Sequence, residues 1–326
     1  MTELRLWLAR SYGLLLSIVV FIVMFALYFG NFSTDDPAAV ILSAANTGVL
    51  LALVAMAQTV PVLTAGLDLS VGMIFIMTNC IASALVVGTP LQVAAGTVAV
   101  ILSGCAAGFV NGAIVVWGRL QPIIATLATS AIYIGIALLI RPVPGGDVDG
   151  DLADFLTGQV FEVVPVGLIF LVAVVLFIWV PFRMSVLGRG CYAAGSAEGA
   201  AYMSGVDIAR SKFAAYVLSG LFAGLAGLMQ TFNTYTGEAS APSGGLYTLN
   251  SIAAVVIGGT SLFGGSGGAV GSIFGAFILR TIVSLLFVFD MPPLWQPLFQ
   301  GVVLLLAVSL GAARVLRIRN RLELFS

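Results

Sequence analysis

Few side chains in this sequence could do chemistry, and they are grouped. Gly66-Leu67-Asp68-Leu69-Ser70-Val71-Gly72 sets one carboxyl and one hydroxyl between two glycines, with Pro61 upstream, in an otherwise apolar stretch. Proline and glycine interrupt a helix and free backbone groups. Such backbone is tolerated at membrane depth only when it is buried in protein or lines a wet cavity. A carboxyl at a helix centre costs about 2.5–3.5 kcal/mol on insertion scales, so Asp68 needs a partner. Two roles fit it: a cap on a half-helix that continues through Ser70 and Val71, or a residue of a solute pathway. A second interruption, the glycine-broken segment 258–268, lies in the other half of the chain. Paired interruptions point to a transport site near the membrane midplane.

A third group lies in the segment 183–212, where Ser196-Ala197-Glu198-Gly199-Ala200-Ala201-Tyr202-Met203-Ser204-Gly205 reads as a short helix. Ser196 can cap it, Glu198 suits its positive end and Gly205 can stop it. Asp207 then caps the next helix. A short helix of small residues with one tyrosine, Tyr202, either presents a docking knob to a cytoplasmic partner or is an ordinary interfacial helix. A fourth group is the set of neutral polar residues inside apolar runs: Asn46, Gln58, Asn79, Asn111, Thr126, Thr129, Asn250, Gln296 and Gln300, accompanied by Phe75 and Tyr133. Hydrogen-bonding groups beside aromatic faces suit a neutral polyhydroxylated solute better than an ion. Each taken singly also serves as glue between helices.

Much chemistry is excluded. The chain has no histidine, hence no imidazole catalysis or histidine metal site. Cys80, Cys105 and Cys191 are widely spaced and form no zinc or redox pair. The only lysine, Lys212, lacks the preceding glycine and following hydroxyl of a phosphate-binding loop. Gly264-Gly265-Ser266-Gly267-Gly268 has Val270 where a dinucleotide loop needs its third glycine. No metal or cofactor is expected. A net charge of −1 excludes nucleic acid as a partner.

The elements that must position these groups follow from the composition. Of 326 residues 60% are hydrophobic and 8% charged, against about 25% charged in soluble domains. Only an integral membrane protein fits. The apolar runs are Tyr12–Phe29, Ala38–Thr64, Leu69–Gly118 divided at Gly88-Thr89-Pro90, Pro122–Ile140, Val163–Val180, Phe213–Phe232, Ala239–Leu279 divided at its glycines, and Trp295–Ala313. They predict an all-α polytopic domain over residues 1–326, with about ten spans and broken half-helices. Ten spans with a cytoplasmic N-terminus put 11 of the 13 basic residues inside, as the positive-inside rule asks. Both termini are then cytoplasmic, and 183–212 is the long cytoplasmic loop. Gly104, Gly108 and Gly112, Gly220 and Gly224, and Gly267, Gly271 and Gly275 recur at spacing four, which allows close helix packing or flexing during transport.

At these residues the chain resembles the ribose-type permease subunits of bacterial ABC importers. Three blocks carry the likeness, in order: 66–72, the stretch from Leu187 through Gly205, and Ile252-Ala253-Ala254-Val255-Val256-Ile257-Gly258-Gly259-Thr260-Ser261-Leu262-Phe263-Gly264-Gly265. The resemblance implies a multi-pass inner-membrane permease that pairs with itself or with a second permease subunit. It implies a cytoplasmic ATP-binding subunit, a periplasmic solute-binding protein and surrounding membrane lipid as further partners, and a sugar or sugar-like cargo. Arg189, Tyr192, Ser196, Glu198, Tyr202 and Gly205 become the expected ATPase-coupling residues. Asp68, Ser70, Gly258, Gly259, Thr260 and Gly264 become pathway or gate residues, joined by Phe75, Asn79, Thr126 and Asn250 from the polar set. An ion-coupled transporter would need several intramembrane carboxyls, and only Asp68 lies clearly within a span. The chain departs from the family pattern at Tyr247, Thr248 and Asn250, where an acidic residue is usual, and at the intramembrane Arg280. Both departures bear on the solute and on the choice of permease partner.

Overall fold

A computed structural model describes residues 2–31, 37–162, 164–295 and part of 298–305. The helices run in the order α1 (Thr2–Asn31), α2 (Pro37–Leu63), α3 (Val71–Leu85), α4 (Pro90–Val116), α5 (Pro122–Ile140) and α6 (Gly150–Thr157). A two-stranded hairpin follows, β1 (Gln159–Val160) against β2 (Val164–Pro165). The chain continues through α7 (Val166–Val174), a π-turn at Val175–Trp179, α8 (Val180–Met184), α9 (Val186–Ser196), α10 (Glu198–Met203), α11 (Ile208–Thr234), α12 (Ala241–Ile257) and α13 (Ala269–Val288). The π-turn sits just before Pro181, whose missing N–H cannot close a regular turn.

Among the described residues, seven helices are long and apolar enough to cross a membrane, and α3 and α12 are shorter apolar helices. The protein is thus an all-α polytopic membrane protein. The expected run Val163–Val180 begins and ends later, at Val166–Met184. The expected run Trp295–Ala313 lies largely outside the described residues, as do Gln296, Gln300 and the C-terminal arginines. The turn at Gly88-Thr89-Pro90 is where the sequence places it: Gly88 has φ +105°, Gln92 accepts from the Thr89 N–H at 2.8 Å, and Pro90 opens α4.

The middle of the bundle is α2 and α11. From Val49 to Leu63 nearly every side chain of α2 is fully buried. The glycines pack. A Cβ on Gly104 would lie 2.5 Å from the Gly220 carbonyl oxygen, and one on Gly108 would lie 2.2 Å from that of Tyr216. Hence α4 and α11 meet backbone to backbone. Gly271 and Gly275 bring α13 onto α12 in the same way, whereas Gly267 falls in the turn before α13 with φ +108°. At the far end, the Arg141 guanidinium donates to the Ser83 hydroxyl (2.9 Å) and carbonyl (2.6 Å), and Tyr235 donates to Asp154.

Candidate translocation and coupling site

The turn between α2 and α3 is irregular, and its polar groups from Asp68 to Gly72 are held by side chains of the surrounding helices. The Gln58 amide donates to the Asp68 carbonyl at 2.7 Å and accepts from the Asp68 N–H at 3.3 Å. The Leu69 N–H donates to Thr126 Oγ1 at 2.9 Å. The Asp68 carboxyl accepts from the Ser70 N–H (3.0 Å) and Ser70 hydroxyl (2.6 Å) through Oδ1, and from the Ser219 hydroxyl (3.3 Å) through Oδ2. Asn111 donates to Ser70 Oγ at 2.7 Å and accepts from Thr129 (2.7 Å) and Tyr133 (3.0 Å). The Gly72 N–H is taken by Thr248 Oγ1 of α12 at 3.1 Å. Side chains from α2, α5 and α12 thus accept from the N–H groups that the break frees, and α4 and α11 donate to Ser70 and Asp68, which is what backbone away from water demands.

This geometry corrects one expectation. The residue at the N-cap position of α3 is Ser70, whose side chain caps nothing, and Asp68 acts one step earlier by holding Ser70. Asp68 and Ser70 bond each other, and Thr126 holds the Leu69 N–H between them. Phe75, Asn79 and Asn250 do not join them. Phe75 packs on Tyr247 with ring centroids 4.6 Å apart. Asn79 donates to Thr231 (2.8 Å) and the Thr236 carbonyl (3.2 Å), bracing the far end of α3 against α11, and Asn250 is half-buried on α12. Sequence reasoning missed Ser219. Its only signal is its place beside Gly220 on the small-residue face of α11.

The two interruptions meet each other. The Gly265 N–H donates to the Leu63 carbonyl at 3.0 Å. Gly195, near the end of α9, lies between them: a Cβ there would stand 2.0 Å from the Leu63 carbonyl oxygen and 2.6 Å from the Gly265 nitrogen. Tyr192 of α9 donates to the Gly267 carbonyl at 2.9 Å. Burial pushes the Tyr192 phenol up, so it keeps its proton and remains a donor. Gly259, Gly264, Gly265 and Gly267 all have positive φ, and Thr260 Oγ1 accepts from the Gly268 N–H at 3.0 Å. Segment 258–268 is therefore a tight turn joining α12 to α13. Both interruptions lie at the end of the bundle that carries the 183–212 segment.

That segment holds two helices where one was expected. Ser185 caps α9 by accepting from the Gly188 N–H at 3.1 Å. Ser196 ends α9, donating to the Tyr192 carbonyl at 2.8 Å, so it does not cap α10; Ala197 occupies that position and has no capping side chain. Asp207 caps α11 as expected, accepting from the Arg210 N–H at 2.9 Å. Glu198 pairs with Lys212 at 2.8 Å and fixes α10 to α11. Gly205, φ +78°, closes the turn after α10. Tyr202 and Met203 project at 72% and 86% exposure, and Arg189 is exposed on α9. Below this knob a cavity of about 920 Å³ is bounded by Thr64, Arg119, Glu198, Lys212 and Tyr216.

The protein is thus a membrane-spanning helical bundle whose two interruptions rest on α9, beside the exposed α10. Residues 40–308 match the family described as the permease component of branched-chain amino acid transport systems, and the chain belongs to that family. It is 33% identical over 313 residues to the ribose import permease protein of Escherichia coli K12, covering 93% of this chain and 94% of that one. It is 35% identical to the ribose import permease protein of Bacillus subtilis, covering 79% and 80%. It is 33% identical to the D-allose transport system permease protein of E. coli K12, covering 79% and 78%. No solved structure matches. The chain is thus an integral inner-membrane permease subunit of an ABC importer, and a separate chain hydrolyses the ATP.

Proposed function

We propose that this subunit imports a sugar or sugar-like solute, in line with the ribose and allose permeases it resembles and with its neutral polar interior. Residues 1–326 form one transmembrane domain of ten spans with both termini cytoplasmic. A second permease subunit, a copy of this chain or a relative, completes the channel within the lipid bilayer. A solute-binding protein delivers the cargo on the periplasmic side. The ATP-binding subunit docks on the knob formed by Tyr202 and Met203, with Arg189 and Glu198 beside it. Tyr192, Gly195 and Ser196 pass its movement to the two interruptions, with Gly258, Gly259, Thr260 and Gly264 shaping the second. The observation that carries this reading is the seating of Gly195 on both Leu63 and Gly265.

The test is gentle purification from native membranes with mass spectrometry of co-purifying chains, for wild type and Glu198→Arg. The wild type should retain an ATPase near stoichiometry. Glu198→Arg places two cations together at Lys212, and it should abolish uptake in a normally expressed chain. Uptake that survives would sink the coupling role. Tyr192→Phe removes only the bond to Gly267. One neutral hydrogen bond contributes about 1 kcal/mol, so uptake per ATP hydrolysed should fall about fivefold. An unchanged ratio in proteoliposomes would show that the bond carries no motion.

A further inference from the structure

We propose that the crevice between α1, α2, α7 and α13 binds an acidic amphiphile, its hydrocarbon chain on Phe21, Phe25 and Phe277 and its acid group on Arg280. The crevice measures about 370 Å³ and is bounded mainly by aromatic and aliphatic side chains. Its few polar groups include Thr47 and Thr281, whose hydroxyls already donate to carbonyls of their own helices at 2.9 and 2.8 Å. A polyhydroxylated solute would find little to bond there. A flexible chain does fit.

Arg280 supplies the second half of the site. It lies eight residues before the end of α13, or about 12 Å inside the span. The ion pairs among the described residues are Arg210–Asp207 and Lys212–Glu198, and Arg280 is in neither. Its Nε is buried without a hydrogen-bond partner. An intramembrane guanidinium is costly unless an anion or water meets it, and its fork of donors matches a carboxylate or phosphate. The one cation in the crevice therefore selects the chemistry of its occupant. A phospholipid phosphate and a free fatty-acid carboxylate share that chemistry. The site depends only on the chain being embedded in a membrane, so its test stands apart from transport.

The full-length chain in its complex would be reconstituted in phosphatidylcholine vesicles containing a minority of phosphatidylglycerol, and in parallel vesicles containing palmitate. It would then be re-extracted and its bound lipid quantified by mass spectrometry. The wild type should retain the acidic species in preference to phosphatidylcholine. Arg280→Gln should lower that retention about tenfold, as loss of a charge-assisted pair predicts. Ala44→Phe, which fills the crevice from α2 and leaves Arg280 in place, should lower it as well. Retained phosphatidylglycerol assigns the acid to a headgroup, and retained palmitate assigns it to a free acid. Indifference between acidic and zwitterionic lipid, or a preference that survives either substitution, overturns the proposal.

Discussion

Gly195→Leu should cut solute uptake about a hundredfold while ATP hydrolysis by the assembled importer continues. The Cβ alone would meet the Leu63 carbonyl oxygen at 2.0 Å and the Gly265 nitrogen at 2.6 Å. Both are backbone atoms, so no rotamer change relieves the clash and α9 must move away from both interruptions. Overpacking of this kind costs about 1–3 kcal/mol, and about 1.4 kcal/mol is tenfold in an equilibrium. The control is Gly199→Ala in the neighbouring α10. A Cβ on Gly199 meets nothing within 4 Å, so uptake should stay near wild type. Both variants lie in one loop and differ in what lies beside them. Uptake and ATPase rates in proteoliposomes decide the matter: equal behaviour of the two would remove Gly195 from the coupling path.

Why this contact escapes the sequence is a matter of what side chains can signal. Apolar runs and turn residues reveal the spans, because hydrophobic length and Gly-Thr-Pro chemistry are local properties. Asp207 is legible as a cap for the same reason. The Asp68 cluster is half legible. Asn111, Thr126, Thr129 and Tyr133 stand out as polar groups in apolar runs, but that Asn111 reaches Ser70, Thr129 and Tyr133 reach Asn111, and Thr126 takes the Leu69 N–H is a fact of packing. The Leu63 carbonyl carries no side-chain mark at all, and a glycine shows only that something comes close, never what. Ser196 misleads because a serine just before a short run with an acid near its start reads as an N-cap. The competing signal was Ser185, which opens α9 and lets that helix run on through Ser196.

Asp68→Ala should lower the thermal stability of the detergent-solubilised chain most among substitutions in the interruption. Removing the carboxyl leaves the Ser70 N–H and hydroxyl without acceptors and Ser219 without its partner. Each buried unsatisfied group costs about 1–3 kcal/mol, so the loss should be about 3 kcal/mol or more. Asp68→Asn separates the two roles that the residue types leave open. An asparagine keeps an oxygen for both Ser70 donors and turns an amide toward Ser219, which can accept through its hydroxyl oxygen. If Asp68 is a brace, the asparagine chain stays folded and retains most of its uptake. The geometry supports that outcome, because the carboxyl is fully buried and its bonds all stay within the protein. A well-folded Asp68→Asn chain that no longer transports would instead require the negative charge itself. The break would then open toward the solute during the cycle, and Gln58, Asn111 and Thr129 would exchange their present partners for hydroxyls of the cargo. Thermal melts followed by fluorescence size-exclusion, together with uptake for the two variants, decide between a fixed brace and a site that opens.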